Sequence, residues 1–167
     1  ANVTHVYTAV TAVLGFIPLK HEGKITGLAA YGKPNKHCHA ILSDWLEQPK
    51  LLEGLFYWEN MYSDEHPPQL KASLSVIAKL RESLEDISRE DLAFAVQDLA
   101  EKHIIDILTT WRDQGNSFKN ICLSGGLFAN VKINQRISEL GFDALFVSPP
   151  MGDDGTALGA ALQIASQ

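Results

Sequence analysis

Apolar residues recur at helical spacing through Thr4 to Phe16, as Val6, Val10, Val13 and Leu14, and predict a helix with one buried face that is broken by Gly15 and Pro18. The next stretch, His21 to Gly32, is punctuated by glycines and lacks a strong period. It reads as a loop leading into a short helix, with small residues that permit close backbone approach. Ala40, Ile41, Trp45 and Leu46 predict another helix, and the aromatic run Leu55-Phe56-Tyr57-Trp58 predicts a strand. Asn60 to Gln69, polar and carrying Pro67-Pro68, reads as an exposed connection.

Ser88 followed by Asp91 has the form of a capping box, and Leu92, Val96, Leu99, His103, Ile107 and Trp111 then fall on one helical stripe. A long helix ending near Gly115 follows from that spacing. Beyond it the pattern predicts a strand from Asn120 to Leu123, a helix from Phe128 to Leu140, a strand from Ala144 to Val147 and a helix from Gly155 to Ala165. Such alternation implies parallel, buried strands joined by crossover helices, an α/β fold.

Composition narrows the function classes. With 167 residues, 46% of them apolar, the chain has the size and core of one domain. A net charge of −6 lacks the basic excess that tracks phosphate backbones, so nucleic acid is not an expected partner. Cys38 and Cys122 lie far apart and outside any CxxC spacing, which indicates reduced thiols rather than a zinc site or a disulfide framework. The segment Ala1-Asn2-Val3-Thr4-His5 has no signal-peptide pattern, and no apolar run approaches the roughly 18 residues of a membrane span. A cytoplasmic protein is expected. The missing initiator Met and a pattern already running at Thr4 lead us to expect a piece of a longer enzyme.

Two strand exits could carry chemistry. Ile121-Cys122-Leu123 runs into Ser124-Gly125-Gly126, where glycines let the backbone turn tightly and present N–H groups to an anion, with Asn130 adding an amide near the next helix start. A plain structural turn is the competing reading of that segment. Pro149-Pro150-Met151-Gly152-Asp153-Asp154-Gly155-Thr156 again joins strand to helix and supplies two carboxylates and a hydroxyl, suited to a divalent metal or water around a phosphate. Asp154, directly before Gly155, is placed to cap the final helix, which leaves Asp153 either solvated or as the metal-side carboxylate. Two junctions on one sheet edge favour a ligand, since α/β sheets bind beyond their strand ends. Glu22 and Lys24 could face a metal-bound water and a phosphate, or form a charged surface turn. His37 and His39 diverge on a helix and read as a solvated face, and His103 as a packed histidine.

Leu14-Gly15-Phe16, the run from Glu22 to Gly32, the run Leu123-Ser124-Gly125-Gly126-Leu127-Phe128-Ala129-Asn130-Val131-Lys132-Ile133-Asn134, and the run from Gly152 to Ala161 together resemble the O-carbamoyltransferases of nodulation and antibiotic tailoring. The resemblance spans nearly the whole chain. Residues 33–88 contribute least to it and read as an insert-like region. It implies the later half of an N-terminal domain with the actin-like, ribonuclease H-like ATPase fold, a central sheet with flanking helices. It also implies an enzyme that takes carbamoyl phosphate and ATP to a carbamoyl-adenylate and passes the carbamoyl group to the hydroxyl of a small-molecule acceptor.

Carried over by the resemblance, Ser124, Gly125, Gly126 and Asn130 contact the nucleotide, and Asp153 ligates a divalent metal, iron or magnesium. Glu22 and Lys24 face the same cleft as catalytic residues. The family's HxxxH histidine pair has no counterpart among these residues, so the chain alone is expected not to turn over, and apolar surface meant for the rest of the parent is expected to promote self-association. A kinase-like phosphotransferase of the same fold and a non-catalytic nucleotide-binding or interaction module are the alternatives.

Overall fold

The computed structural model describes residues 2–59, 69–115, 118–152 and 155–166. They fall into two compact units, Ala1–Ala100 and Glu101–Gln167. Among the described residues the protein is mixed α/β and mostly helical, and no helix is long and apolar enough to cross a membrane.

The first unit is organised around α1 (Val3–Val13), which Asn2 caps by accepting a hydrogen bond from the Thr4 N–H at 3.1 Å. Within α1 only Thr4 and His5 escape full burial, and a helix apolar all round must be enclosed by other elements. Three helices pack on it: α2 (Glu22–Ala29), α3 (Lys36–Glu47) and α4 (Leu74–Glu82). Leu42 and Trp45 of α3 and Ile77 and Leu80 of α4 are buried there, each such side chain contributing roughly 1.5–3 kcal/mol. The buried Thr11 hydroxyl is partnered, its Oγ1 donating to the Tyr7 carbonyl at 2.9 Å.

Two elements differ from the sequence reading. The segment from His21 to Gly32 is helical directly from Glu22, without a preceding loop. Gly23 and Gly27 each disfavour a helix by about 1 kcal/mol. Burial of Ile25 and Ala29, and the 3.0 Å hydrogen bond between Tyr7 Oη and Thr26 Oγ1, offset that cost. Helix α4 is absent from the sequence reading altogether; its apolar side chains acquire a face only against α1.

Strands β1 (Phe56–Glu59) and β2 (Gln69–Ala72) pair antiparallel, Phe56 opposite Ala72. Residues 60–68, where the exposed connection was expected, lie outside the described residues. Helix α5 (Arg89–Asp113) begins where expected, the Ser88 hydroxyl accepting from the Asp91 N–H at 3.1 Å. Leu92, Val96 and Leu99 are buried, yet Ile107 and Trp111 further along the predicted stripe are 50% and 45% exposed, and His103 is half-buried.

The second unit holds a βαβ arrangement. Strands β3 (Asn120–Leu123) and β4 (Ala144–Val147) pair in parallel with Leu123 opposite Val147, as the alternating pattern predicts. They are not the buried strands expected: of their residues only Leu123 is buried and Phe146 is 59% exposed, and the helix that follows them buries no residue. Between them lie a 3-10 turn, Gly126–Ala129, and helix α6 (Val131–Ser138). The expected helix from Phe128 is therefore shortened at both ends. Ile133 and Ile137, one turn apart on α6, are fully buried with Leu123. The last helix, α7 (Gly155–Ala165), buries none of its residues, and Leu162 and Ile164 are 59% and 74% exposed.

Candidate functional site

The exit of β3 is the most sharply defined backbone feature of the second unit. Leu123 is buried and anchors the strand end, whereas Ser124 directly after it is exposed. Gly125 has φ 106° and ψ 157°, a combination reserved for glycine, so this residue is required by the turn itself. Gly126 has no such constraint, and a side chain there would meet no atom within 4 Å. Open space over Gly126 is where a ligand could approach the main chain.

Asn130 closes the junction as the N-cap of α6. Its Oδ1 accepts from the N–H groups of Lys132 at 3.1 Å and Ile133 at 3.2 Å, so its side-chain oxygen serves the helix. Asn134, one turn on, donates from Nδ2 to the Phe128 carbonyl at 2.8 Å and ties the 3-10 turn to α6. Its Oδ1 is buried without a hydrogen-bond partner among the described residues. The sequence reading did not single out Asn134 as a site residue, although it stands at the end of the motif that drew attention to Asn130.

The second exit lies beside the first. The Ser148 N–H donates to the Leu123 carbonyl at 2.9 Å, extending the ladder one step beyond β4. Gly155, which opens α7, approaches so closely that a Cβ would stand 2.8 Å from the Pro150 carbonyl oxygen. Asp153 and Asp154 lie outside the described residues. The structure thus brings Ser124, Gly125, Gly126 and Asn130 into one junction, at the same edge of the parallel pair as Ser148.

Glu22 and Lys24 belong to the first unit. Glu22 is half-buried, and its Oε1 accepts the Leu19 N–H at 2.7 Å, holding a turn in which Leu19 itself has φ 61°. His21 Nδ1 accepts the Ile17 N–H at 3.1 Å in the same turn. The Lys24 ammonium lies 5.6 Å from the centroid of the Phe16 ring, and the Arg89 guanidinium lies 5.5 Å from it. Arg89 carried no sequence signal, because a residue so distant in the chain reaches Phe16 only through packing.

Cys38 is fully buried, and its thiol is pushed up from 9.0 to about 11, first by burial and then by the charge of Asp91. That thiol is an inert packing group, in contrast to the exposed Cys122. His37 is exposed, as expected, but His39 is half-buried, with Nε2 3.7 Å from Asp98 Oδ2. No three His, Cys, Asp or Glu side chains among the described residues converge to hold a metal.

A parallel βαβ unit with a glycine-only turn at one strand exit and a capped helix behind it gives the second unit an α/β form. The chain belongs to the carbamoyltransferase N-terminal family, whose model, described as the carbamoyltransferase N-terminus, matches residues 1–162. It is similar to the uncharacterized protein MJ1058 of Methanocaldococcus jannaschii, 32% identical over 163 residues, covering 97% of this chain and 25% of that protein. It is 31% identical over 148 residues to nodulation protein NolNO of Sinorhizobium fredii, covering 87% of this chain and 20% of that protein. Nodulation protein NolO of Bradyrhizobium diazoefficiens is 29% identical over 147 residues, covering 87% of this chain and 25% of its own length. The chain thus spans a quarter or less of each of these relatives. No solved structure matches significantly.

Proposed function

We propose that this chain is the ATP- and metal-binding part of an O-carbamoyltransferase with an actin-like ATPase fold, cytoplasmic in location, that with water converts carbamoyl phosphate and ATP to a carbamoyl-adenylate, releasing the phosphate of the first and the pyrophosphate of the second. The carbamoyl group then passes to an acceptor hydroxyl. Family membership across residues 1–162 carries the proposal, and the open backbone at Gly126 supports it.

The residues fit a nucleotide at the β3 exit. The opening N–H groups of a helical turn have no partner within that turn, and they favour phosphate oxygens. Ser124 contributes an exposed hydroxyl, and Asn130 keeps α6 and its N-terminus in place behind the turn. Donors fixed in this way stabilise charge that develops on a transferring group without having to reorganise. Glu22 holds the turn that precedes Lys24, so its role toward a ligand is to fix the cation. A divalent metal would draw on Asp153, and no step is assigned to the metal.

A parent-length enzyme supplied with carbamoyl phosphate and ATP is expected to release pyrophosphate, because adenylate formation breaks the bond between the α- and β-phosphates. Production of ADP without pyrophosphate would overturn the reading in favour of a kinase, and neither product would favour a binding module. In that enzyme Asp153→Asn is expected to abolish metal-dependent turnover while Asp154→Asn mainly lowers stability. The chain alone is expected to bind but not to turn over.

A further inference from the structure

The Phe16 ring faces two cations contributed by different helices. The ring is half-buried, Lys24 sits in the first turn of α2, and Arg89 is the first residue of α5. With ammonium and guanidinium 5.6 and 5.5 Å from one centroid, the two charges are held in one small region of a chain whose net charge is −6. Like charges this close repel one another, and an N-terminal helix dipole disfavours a cation as well. Among the described residues, neither Lys24 nor Arg89 has a carboxylate within ion-pair distance. Two acids close to them in sequence are engaged elsewhere: Glu22 takes the Leu19 N–H at 2.7 Å, and Asp91 takes the Lys33 N–H at 2.8 Å.

A hollow of about 490 Å³ within the same unit has Arg89, though neither Lys24 nor Phe16, in its lining. Its floor is apolar, with Val13, Leu14, Ile87 and Leu92, and Arg81 and Arg89 stand among its lining residues. Arg81 is committed to structure, its Nε donating to the Val13 carbonyl at 2.8 Å, where a cation complements the C-terminus of α1. Arg89 is not so committed; it lines the hollow and faces the Phe16 ring at once. Glu82 and Glu85 also line the hollow and disfavour an anion within it, which leaves its Arg89 side as the place for one.

We infer that Lys24 and Arg89, steadied by the Phe16 ring, form a phosphoryl-binding subsite at the edge of this hollow. The ring attracts both cations, and a phosphoryl group neutralises their mutual repulsion. Arg89 supplies the planar fork that grips two oxygens, and Lys24 supplies a point charge. This deepens the proposed function, which already directs Lys24 toward a phosphate, and it adds Arg89 and Phe16 to that role.

The test uses the full chain, titrated separately with inorganic phosphate and with ATP while backbone amide signals are followed by NMR. Saturable shifts of residues 15–24 and 89 are expected with at least one of them, and the tighter of the two identifies the source of the phosphoryl group. Arg89→Gln and Lys24→Gln should each weaken binding at least tenfold, Phe16→Leu severalfold, and Lys119→Gln, which removes a charge from the other unit, not at all. Thermal melts of each variant report that the fold is retained. Shifts that never saturate, or affinity in Arg89→Gln and Lys24→Gln equal to that of the unsubstituted chain, would overturn the inference. Binding is read without turnover, so failure of carbamoyl transfer in the parent enzyme leaves this result standing.

Discussion

Tyr7 Oη donates a hydrogen bond to Gln97 Oε1 at 2.9 Å, joining α1 to α5 across 90 residues of sequence in a buried setting. Tyr7 is 5% and Gln97 6% exposed, so solvent cannot replace the donor if it is lost. Tyr7→Phe is therefore expected to lower stability by about 1–3 kcal/mol, the cost of leaving a buried polar group short of a partner. Urea unfolding of the two proteins measures it, and an unchanged midpoint would show that Gln97 finds another donor.

Gly32 faces the backbone of α5 at very close range. A Cβ there would stand 2.6 Å from the Glu90 carbonyl carbon and 2.7 Å from Phe94 Cβ, and it would collide with the Glu90 oxygen. Backbone cannot move aside as a flexible side chain can, so Gly32→Ala should destabilise the first unit by about 3 kcal/mol or more. Thermal denaturation followed by circular dichroism would detect the loss.

The two glycines after Ser124 should separate on substitution. Gly125→Ala forces a side chain into φ 106° and is expected to cost about 1–3 kcal/mol. Gly126→Ala meets open space and should leave stability within about 0.5 kcal/mol, while weakening ATP binding if the nucleotide approaches that backbone. Melting curves and ATP titration of both variants would decide, and unaltered ATP affinity in Gly126→Ala would remove the nucleotide from this junction.

Cys38 sets a limit on alkaline stability. Its thiol titrates at about 11 in the folded protein against 9.0 in an unfolded chain, so the folded state holds the proton more tightly. The associated stability is fully present below pH 9 and is lost as pH rises through about 11, an effect on the order of 3 kcal/mol. Cys38→Ala should flatten that part of the pH profile. Iodoacetamide should label Cys122 in the native protein and Cys38 only on unfolding.

Local signals in the sequence determined the elements that depend on neighbours in the chain. The bounds of β3, β4 and α7, and the start of α5 at Ser88, were legible because strand period, glycine placement and a capping hydroxyl act within a few residues. The parallel pairing of β3 with β4 followed from their alternation with helix. The carbamoyltransferase family was legible in ordered motifs at fixed spacing, among them the runs around Ser124 and Glu22.

Tertiary structure decided what rests on partners far apart in the chain. Helix α2 contains two glycines and forms because Ile25 and Ala29 find a core to enter, and α4 has no apolar face until α1 lies against it. Asn130 looked like a ligand-facing amide, and only the fold commits its oxygen to capping α6. The Phe16, Lys24 and Arg89 cluster joins a broken helix end to a residue more than seventy positions away, and no periodicity records such a meeting. Side-chain distances of this kind are set when helices pack, because burial selects which faces meet, and a linear pattern states only which faces are available.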